Sequence, residues 1–170
     1  WRKRIPWLLL LMVSATFTGI IITSFEDALA AQVVLTAFIP MLMDTGGNSG
    51  SQASVTIIRG LSLNEIEFRD LPRVVWKEMR VAFLCGGTLS AANFCKLLWL
   101  DRVGVWVALV VSLTLIITVF SAKVVRSTLP ILSKKVGFDP AVMASPFITT
   151  IVDALSLIIY FQIASLLLNL

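Results

Sequence analysis

Polar residues interrupt one of the most apolar stretches of this chain. An acid, three glycines and several amide and hydroxyl side chains fall within Pro40-Met-Leu-Met-Asp-Thr-Gly-Gly-Asn-Ser-Gly-Ser-Gln52. In hydrocarbon each unsatisfied polar group costs several kcal/mol, so such a run is tolerated only where it is buried in protein or lines a water-filled path. The run therefore indicates transport across a membrane.

Asp153 is the second acidic residue inside an apolar block. Hydroxyl residues recur around it at helical spacing and so share one face of a helix, namely Ser145, Thr149, Ser156 and Tyr160. A carboxylate at mid-bilayer depth needs a cation, a partner charge or water, and no Lys or Arg lies at comparable depth in any predicted span. We interpret Asp153 as a cation-binding residue. A protonated Asp153 that hydrogen-bonds between helices, or that couples transport to protons, is the alternative.

The run after Pro40 has two interpretations. Gly46, Gly50 and Ser54 recur every four residues, which lets a neighbouring helix approach closely along this edge. Packing does not account for the adjacent glycine pair Gly46-Gly47, or for Asp44, Asn48 and Gln52. Since a proline is expected to kink or open a helix, backbone carbonyls freed beyond Pro40 would face a cavity and hold an ion. We favour ion binding over packing alone.

The elements that position these residues are predicted to be membrane helices. Hydrophobic residues make up 58% of the 170 residues, charged residues 14%, and the mean hydropathy is +0.93. About 20 apolar residues cross a bilayer as a helix. We predict an all-α fold with five spans, which are Ile5 to Phe25, Ala28 to Ile58, Val81 to Cys95, Val103 to Ala122 and Pro140 to Leu170.

The basic residues predict the orientation of these spans. Most lie before the first span, between the second and third, or between the fourth and fifth, the last group including Lys123 and Arg126. Because Lys and Arg are retained on the cytoplasmic side, we predict a multi-pass protein of the cell's inner (plasma) membrane with a cytoplasmic N-terminus and an extracytoplasmic C-terminus. The net charge of +4 is then explained by basic residues that set the orientation of the spans, and we expect no nucleic-acid partner.

Metal ligands and catalytic residues are sparse in this sequence. It has no histidine, and its two cysteines, Cys85 and Cys95, lie in one apolar span without metal-ligand spacing. Oxygen atoms are therefore the expected ligands for a cation, and the cysteines are read as small hydrophobic residues. No Ser or Cys has an adjacent base, so we predict no enzymatic step.

Two segments resemble the MgtE family of magnesium channels, which is related to the solute carrier 41 proteins. The run from Pro40 to Gln52 is similar to a family signature, and Asp139-Pro-Ala-Val-Met-Ala-Ser-Pro-Phe-Ile-Thr-Thr-Ile-Val-Asp153 looks like the family's last-helix pattern. The resemblance covers residues 1–170 as a transmembrane pore domain. It implies a homodimer whose pore lies on the two-fold axis, lined by the second and fifth spans. It also implies that Asp153 faces its symmetry mate around a hydrated Mg²⁺, with Gly47, Asn48 and Thr149 in the lining.

This sequence departs from the family pattern in two respects. Asp44 stands where family members often carry a small residue, so it is expected either to form a second acidic ring or to hydrogen-bond locally at a helix interface. The family's cytoplasmic magnesium-sensing part, an N domain and paired cystathionine-β-synthase domains, is expected before Trp1. Four acidic residues either contact that part or form a solvated loop with its own salt bridges: Glu65, Glu67, Asp70 and Glu78.

The resulting hypothesis is a dimeric channel in the lipid bilayer that passes Mg²⁺ into the cell, with other divalent cations as further candidate substrates. Mg²⁺ prefers octahedral oxygen coordination and releases its waters reluctantly, so an oxygen-lined path needs little direct ligation. The alternative is a cation-coupled secondary transporter of an organic solute. Against it, the predicted lining has no buried basic group to receive an anionic substrate.

Overall fold

The computed structural model describes residues 1–2, 5–137 and 146–169. Every regular element in these ranges is helical, which confirms the all-α prediction. The helices are α1 (Ile5–Ser24), α2 (Glu26–Ala31), α3 (Ile39–Ser62), α4 (Leu71–Trp99), α5 (Val105–Val136) and α6 (Pro146–Leu168). Short 3-10 turns at Val33–Phe38 and Phe68–Asp70 precede α3 and α4.

Three helical segments of the described chain are long and apolar enough to cross a bilayer. They are Phe68–Trp99, Val105–Val136 and Ile148–Leu168, with mean hydropathies of 1.4, 2.4 and 2.1. The apolar segment Leu8–Ser24 is shorter. α3 has 24 residues, but the polar run lies within it. The membrane character of the protein is clear from these helices, while the count of five spans stays a prediction.

α5 is the central helix, and it packs against α3, α4 and α6. Val110, Val111 and Leu115 on α5 are buried in the main core together with Leu42 of α3 and Phe161 of α6. The Phe161 ring also stacks on Phe25, with 4.7 Å between the ring centroids, which holds the end of α1 against α6. α5 therefore fixes where α3 and α6 stand relative to each other.

The small-residue edge of α3 faces α5, as the sequence predicts. A Cβ atom on Gly46 would lie 2.5 Å from the Thr118 methyl carbon, closer than real Cβ contacts. A Cβ atom on Gly50 would overlap the side chain of Arg126 and lie 3.0 Å from the Ala122 carbonyl oxygen. These glycines are needed because the two helix backbones approach closely.

The predicted opening of the helix beyond Pro40 is wrong. α3 is a continuous helix from Ile39 to Ser62, and Pro40 lies in its first turn, where a missing N–H removes no intrahelical bond. The break comes earlier, at Gln32, whose φ of −137° and ψ of 73° separate α2 from the following 3-10 turn. The carbonyls of the polar run are thus used within α3, and the Gly47 carbonyl also accepts a 2.8 Å hydrogen bond from the Ser51 hydroxyl.

The helices that contain the third and fourth predicted spans extend well beyond those spans. α5 has 32 residues and continues past Ala122 to Val136. At about 1.5 Å per residue it is roughly 48 Å long, more than the ~30 Å of hydrocarbon in a bilayer. It ends where Gly137 adopts a left-handed conformation, with φ of 85°. α4 likewise begins at Leu71, well before Val81.

Lys123 and Arg126, assigned by sequence to a loop, are buried within α5, with 3% and 4% of their surfaces exposed. Both side chains are tolerated at buried positions because residues of neighbouring helices pair with them. Lys123 Nζ lies 3.6 Å from a carboxylate oxygen of Glu78 on α4, and Arg126 is hydrogen-bonded on two sides. Glu78 is consequently buried between α4 and α5 rather than part of a solvated loop. Glu67 does form an exposed intraloop salt bridge, 3.1 Å from Arg69.

Candidate cation site

An open cleft between α3, α5 and α6 contains the five residues that were predicted from the sequence to bind the cation. Its volume is about 430 Å³. The predicted site residues on its walls are Asp44, Gly47, Asn48, Thr149 and Asp153. They come from segments about a hundred residues apart in sequence, and the packing of α3 and α6 on α5 brings them together.

α3 contributes one polar face to the cleft. Asp44, Gly47, Asn48 and Ser51 follow the i, i+3, i+4, i+7 spacing of a single helix face. The Asn48 amide donates a 3.0 Å hydrogen bond to the Asp44 carboxylate. Apart from its own helix backbone and chain neighbours, no atom of the described residues lies within 4 Å of a Cβ built on Gly47, so this position faces open space. Asp44 thus lines the cleft and also makes the local hydrogen bond of the alternative interpretation.

α6 contributes Asp153 and, one turn earlier, Thr149. The Oδ1 atom of Asp153 is buried and has no hydrogen-bond partner within the described chain. A buried carboxylate oxygen without a donor is costly unless a cation or its water reaches it. The arrangement therefore offers oxygen atoms of the kind that hold hydrated divalent cations.

The polar face predicted around Asp153 is only partly present. The Ser156 hydroxyl donates to the Val152 carbonyl at 2.7 Å, and it is buried away from the cleft. Tyr160 is fully buried in the core, and its hydroxyl donates to the Leu35 carbonyl at 2.9 Å. Because buried hydroxyl groups can donate hydrogen bonds to backbone carbonyls, the spacing of hydroxyl residues alone does not indicate a water-facing surface. Ser145 lies outside the described residues, as do Asp139 and Pro140.

Arg126 is the cleft residue that sequence reasoning missed. Its Nη1 atom donates to the Ser51 hydroxyl at 2.9 Å, and its Nη2 atom donates to the Thr149 hydroxyl at 2.6 Å. The guanidinium lines the same cleft as Asp153 and interacts with its carboxylate electrostatically. The premise that no basic residue lies near Asp153 is therefore wrong. The available signal was the helical periodicity of Thr118, Ala122 and Arg126, which face α3 together.

Other polar groups lie outside this cleft. Gln52 lines a second groove of about 570 Å³ between α3 and α4, with Thr45, Ser49 and Thr88. Cys85 borders the same groove, and both cysteines are free thiols. Within the described ranges, no three His, Cys, Asp or Glu side chains converge. One copy of the chain therefore offers a cation two carboxylates in the cleft rather than a dense ligand cage.

A comparison with known protein families shows to which family this chain belongs. Residues 39–163 match the MgtE family, described as divalent cation transporters. This chain belongs to the MgtE family. The matched range begins at the first residue of α3 and includes every residue on the walls of the cleft. The cleft is thus a feature of the MgtE part of the chain.

Similar full-length MgtE proteins come from three bacteria, and each is named as a magnesium transporter. The chain is 38% identical to the Thermus thermophilus protein over 169 residues, which is 99% of the chain and 37% of that protein. It is 38% identical to the Bacillus subtilis protein and 30% identical to the Enterococcus faecalis protein, over 96% of the chain and 36% of each relative. The chain therefore spans little more than a third of the length of these curated relatives.

Proposed function

We propose that this chain forms the membrane part of a magnesium channel and passes Mg²⁺ into the cell. The observation that carries the proposal is the cleft, in which Asp44 and Asn48 of α3 face the same space as Thr149 and Asp153 of α6. Membership of the MgtE family and the names of the bacterial relatives support Mg²⁺ as the transported ion. Mg²⁺ is the transported substrate in this proposal, not a resident cofactor.

The size and chemistry of the cleft suit an ion that keeps its water. Six waters in an octahedral shell take up roughly 180 Å³ at about 30 Å³ each. A cleft of about 430 Å³ has room for such a hydrated ion. Its carboxylate, amide and hydroxyl oxygens are acceptors for the bound waters, while the carboxylates of Asp44 and Asp153 offset the positive charge.

We further propose that two copies form a homodimer with the pore on the two-fold axis. The cleft is open on one side, and a second copy related by symmetry would place another Asp44 and Asp153 across it. In this arrangement α3 and α6 line the pore, five segments of each copy cross the bilayer, and the N-terminus is cytoplasmic. Because the relatives are much longer, cytoplasmic sensor domains upstream of this chain belong to the same proposal.

Asp153→Asn tests the proposal. The substitution keeps the side-chain volume but removes the charge that offsets the partial dehydration of Mg²⁺, so we expect Mg²⁺ flux into proteoliposomes to be lost while the protein still folds. Asp101→Asn is the matched control, because Asp101 lies between α4 and α5, outside the cleft, and is paired with Lys96. Flux in Asp153→Asn equal to that of the parent protein would refute the site.

A cation-coupled transporter of an organic solute is a second candidate, and Arg126 favours it. A buried guanidinium in the cleft is the group that an anionic substrate would need, so one sequence-based objection to this candidate no longer holds. However, both Nη atoms already donate to protein hydroxyls. Mg²⁺ flux in liposomes without a proton or sodium gradient supports the channel, whereas flux that requires such a gradient supports the coupled transporter.

A further inference from the structure

Arg126 holds a positive charge at a fixed place in the cleft. Its side chain is 4% exposed and is tied to Ser51 on α3 and to Thr149 on α6. Hydrogen bonds from an ionised donor are about twice as strong as those between neutral groups. The guanidinium therefore cannot swing toward solvent as an exposed arginine does.

The packing of α3 is adapted to this arginine. Gly50 has no side chain at the point where the Arg126 methylenes pass, and any Cβ there would overlap them. The next residue, Ser51, supplies one of the two hydroxyl acceptors. The polar run of α3 thus provides both the space for the arginine and a partner for it.

Arg126 differs from the other buried cation of α5. Lys123, three residues earlier, is paired with Glu78, whereas the ion pairs of the described chain do not include Arg126. The Nε atom of Arg126 is buried and has no partner in the described ranges. Its positive charge is therefore not cancelled by a contacting carboxylate and acts on the space that it shares with Asp153.

With all three groups ionised, two carboxylates and one guanidinium leave a single net negative charge in the cleft of each copy. Two copies together then carry the two negative charges that balance one Mg²⁺. We infer that Arg126 is a built-in counter-charge that limits how tightly the cleft holds a divalent cation. This inference rests on the proposed function.

The counter-charge has a clear consequence for conduction. A conducted ion must bind well enough to enter a site and weakly enough to leave it. Without Arg126, the two copies would face the ion with four negative charges, so binding would tighten and release would slow. Removing the guanidinium is expected to lower the half-saturating Mg²⁺ concentration about tenfold, because the doubly charged ion interacts with each lost charge across a partly solvated cleft. The maximal flux is expected to fall at the same time.

The experiment compares charge variants of the full-length protein in two assays. The first is Mg²⁺ flux into liposomes as a function of Mg²⁺ concentration, and the second is the Mg²⁺ dependence of the melting temperature in detergent. Arg126→Gln is expected to shift both half-saturation points about tenfold lower. Arg59→Gln removes a charge from the exposed end of α3, outside the cleft, and is expected to leave both unchanged.

Two further variants separate charge from structure. Arg126→Lys keeps the charge but loses the forked geometry, so its half-saturation is expected to lie closer to the parent value than that of Arg126→Gln. In the Asp44→Asn/Arg126→Gln double variant the net charge of the cleft returns to its original value, and the half-saturation is expected to return with it. If the Gln variant alone does not fold, the double variant is compared with Asp44→Asn, and the same tenfold difference is expected.

The outcomes are decisive for this inference and for the function separately. If the parent protein carries no Mg²⁺ flux, the proposed function fails. If the parent conducts but Arg126→Gln has an unchanged or higher half-saturation point, the counter-charge inference is overturned and the function stands. If no variant of Arg126 folds, the arginine is a structural tie between α3 and α6, and the inference is likewise overturned.

Discussion

Neutralising Glu78 is expected to destabilise the protein strongly. Its carboxylate lies 3.6 Å from Lys123 Nζ, and the two side chains are only 12% and 4% exposed. At an effective dielectric constant near 20, charges at this distance attract by about 4 to 5 kcal/mol, most of which is offset by the cost of desolvating both groups. Removing one partner leaves the other charge buried alone, which costs about 3 to 5 kcal/mol.

Glu78→Gln is therefore expected to lower the melting temperature by roughly 6 to 20 °C, at about 2 to 4 °C per kcal/mol for a chain of this size. The Glu78→Gln/Lys123→Met double variant removes both charges and is expected to recover most of that loss. The melting temperatures of the parent protein, Glu78→Gln and the double variant are measured by tryptophan fluorescence during heating in detergent.

The exposed pair Lys96 and Asp101 provides the control. Its atoms lie 2.7 Å apart, closer than the buried pair, but its side chains are 47% and 27% exposed. Exposed pairs contribute only about 0 to 1 kcal/mol, so Asp101→Asn is expected to shift the melting temperature by a few degrees at most. Equal shifts in Glu78→Gln and Asp101→Asn, or a double variant that is no more stable than Glu78→Gln, would refute the reasoning.

Two further predictions follow from α3. Gly46→Ala is expected to destabilise the protein by about 1 to 3 kcal/mol, because the new methyl group would press on Thr118. Gly87→Ala is the control, since its methyl group would enter open space, and it is expected to be neutral or stabilising. The melting temperatures of the two variants measure both effects. Asp44→Ala is expected to lower the apparent Mg²⁺ affinity or to alter the preference for Mg²⁺ over Ca²⁺, without abolishing flux, since Asp153 remains. A titration of flux against Mg²⁺ and Ca²⁺ concentration measures this. If neither the Mg²⁺ dependence nor the preference changes, Asp44 does not lie in the ion path.

The cleft was largely predictable from the sequence because it depends on local spacing. Asp44, Gly47 and Asn48 lie on one face of α3 whether or not the helix is kinked, and Asp153 and Thr149 are one turn apart on α6. Helical periodicity therefore groups Asp44 with Asn48 and Thr149 with Asp153, and the resemblance to the MgtE family predicted that the two groups line one space. These groupings do not depend on the expected opening of α3, which was wrong, because the relevant face belongs to an ordinary helix.

The errors concern residues whose environment is set by distant partners. Lys123 and Arg126 were assigned to the loop between the fourth and fifth spans, because unpaired charges are costly in a membrane. The chain retains them in α5 because Glu78, Ser51 and Thr149 reach them from three other helices. No periodicity within α5 encodes those partners. The charge balance of the cleft could thus be recognised only after the helices were placed.

The hydrogen bond from Tyr160 to the Leu35 carbonyl fastens α6 near the start of α3. It joins α6 to the irregular segment just before α3, and the stacked rings of Phe25 and Phe161 reinforce the same end. A second tie lies farther along both helices, where Arg126 joins Ser51 to Thr149. The two helices are therefore fastened to each other at two separate levels. Any separation of α3 from α6 at this level breaks at least one of these two hydrogen bonds.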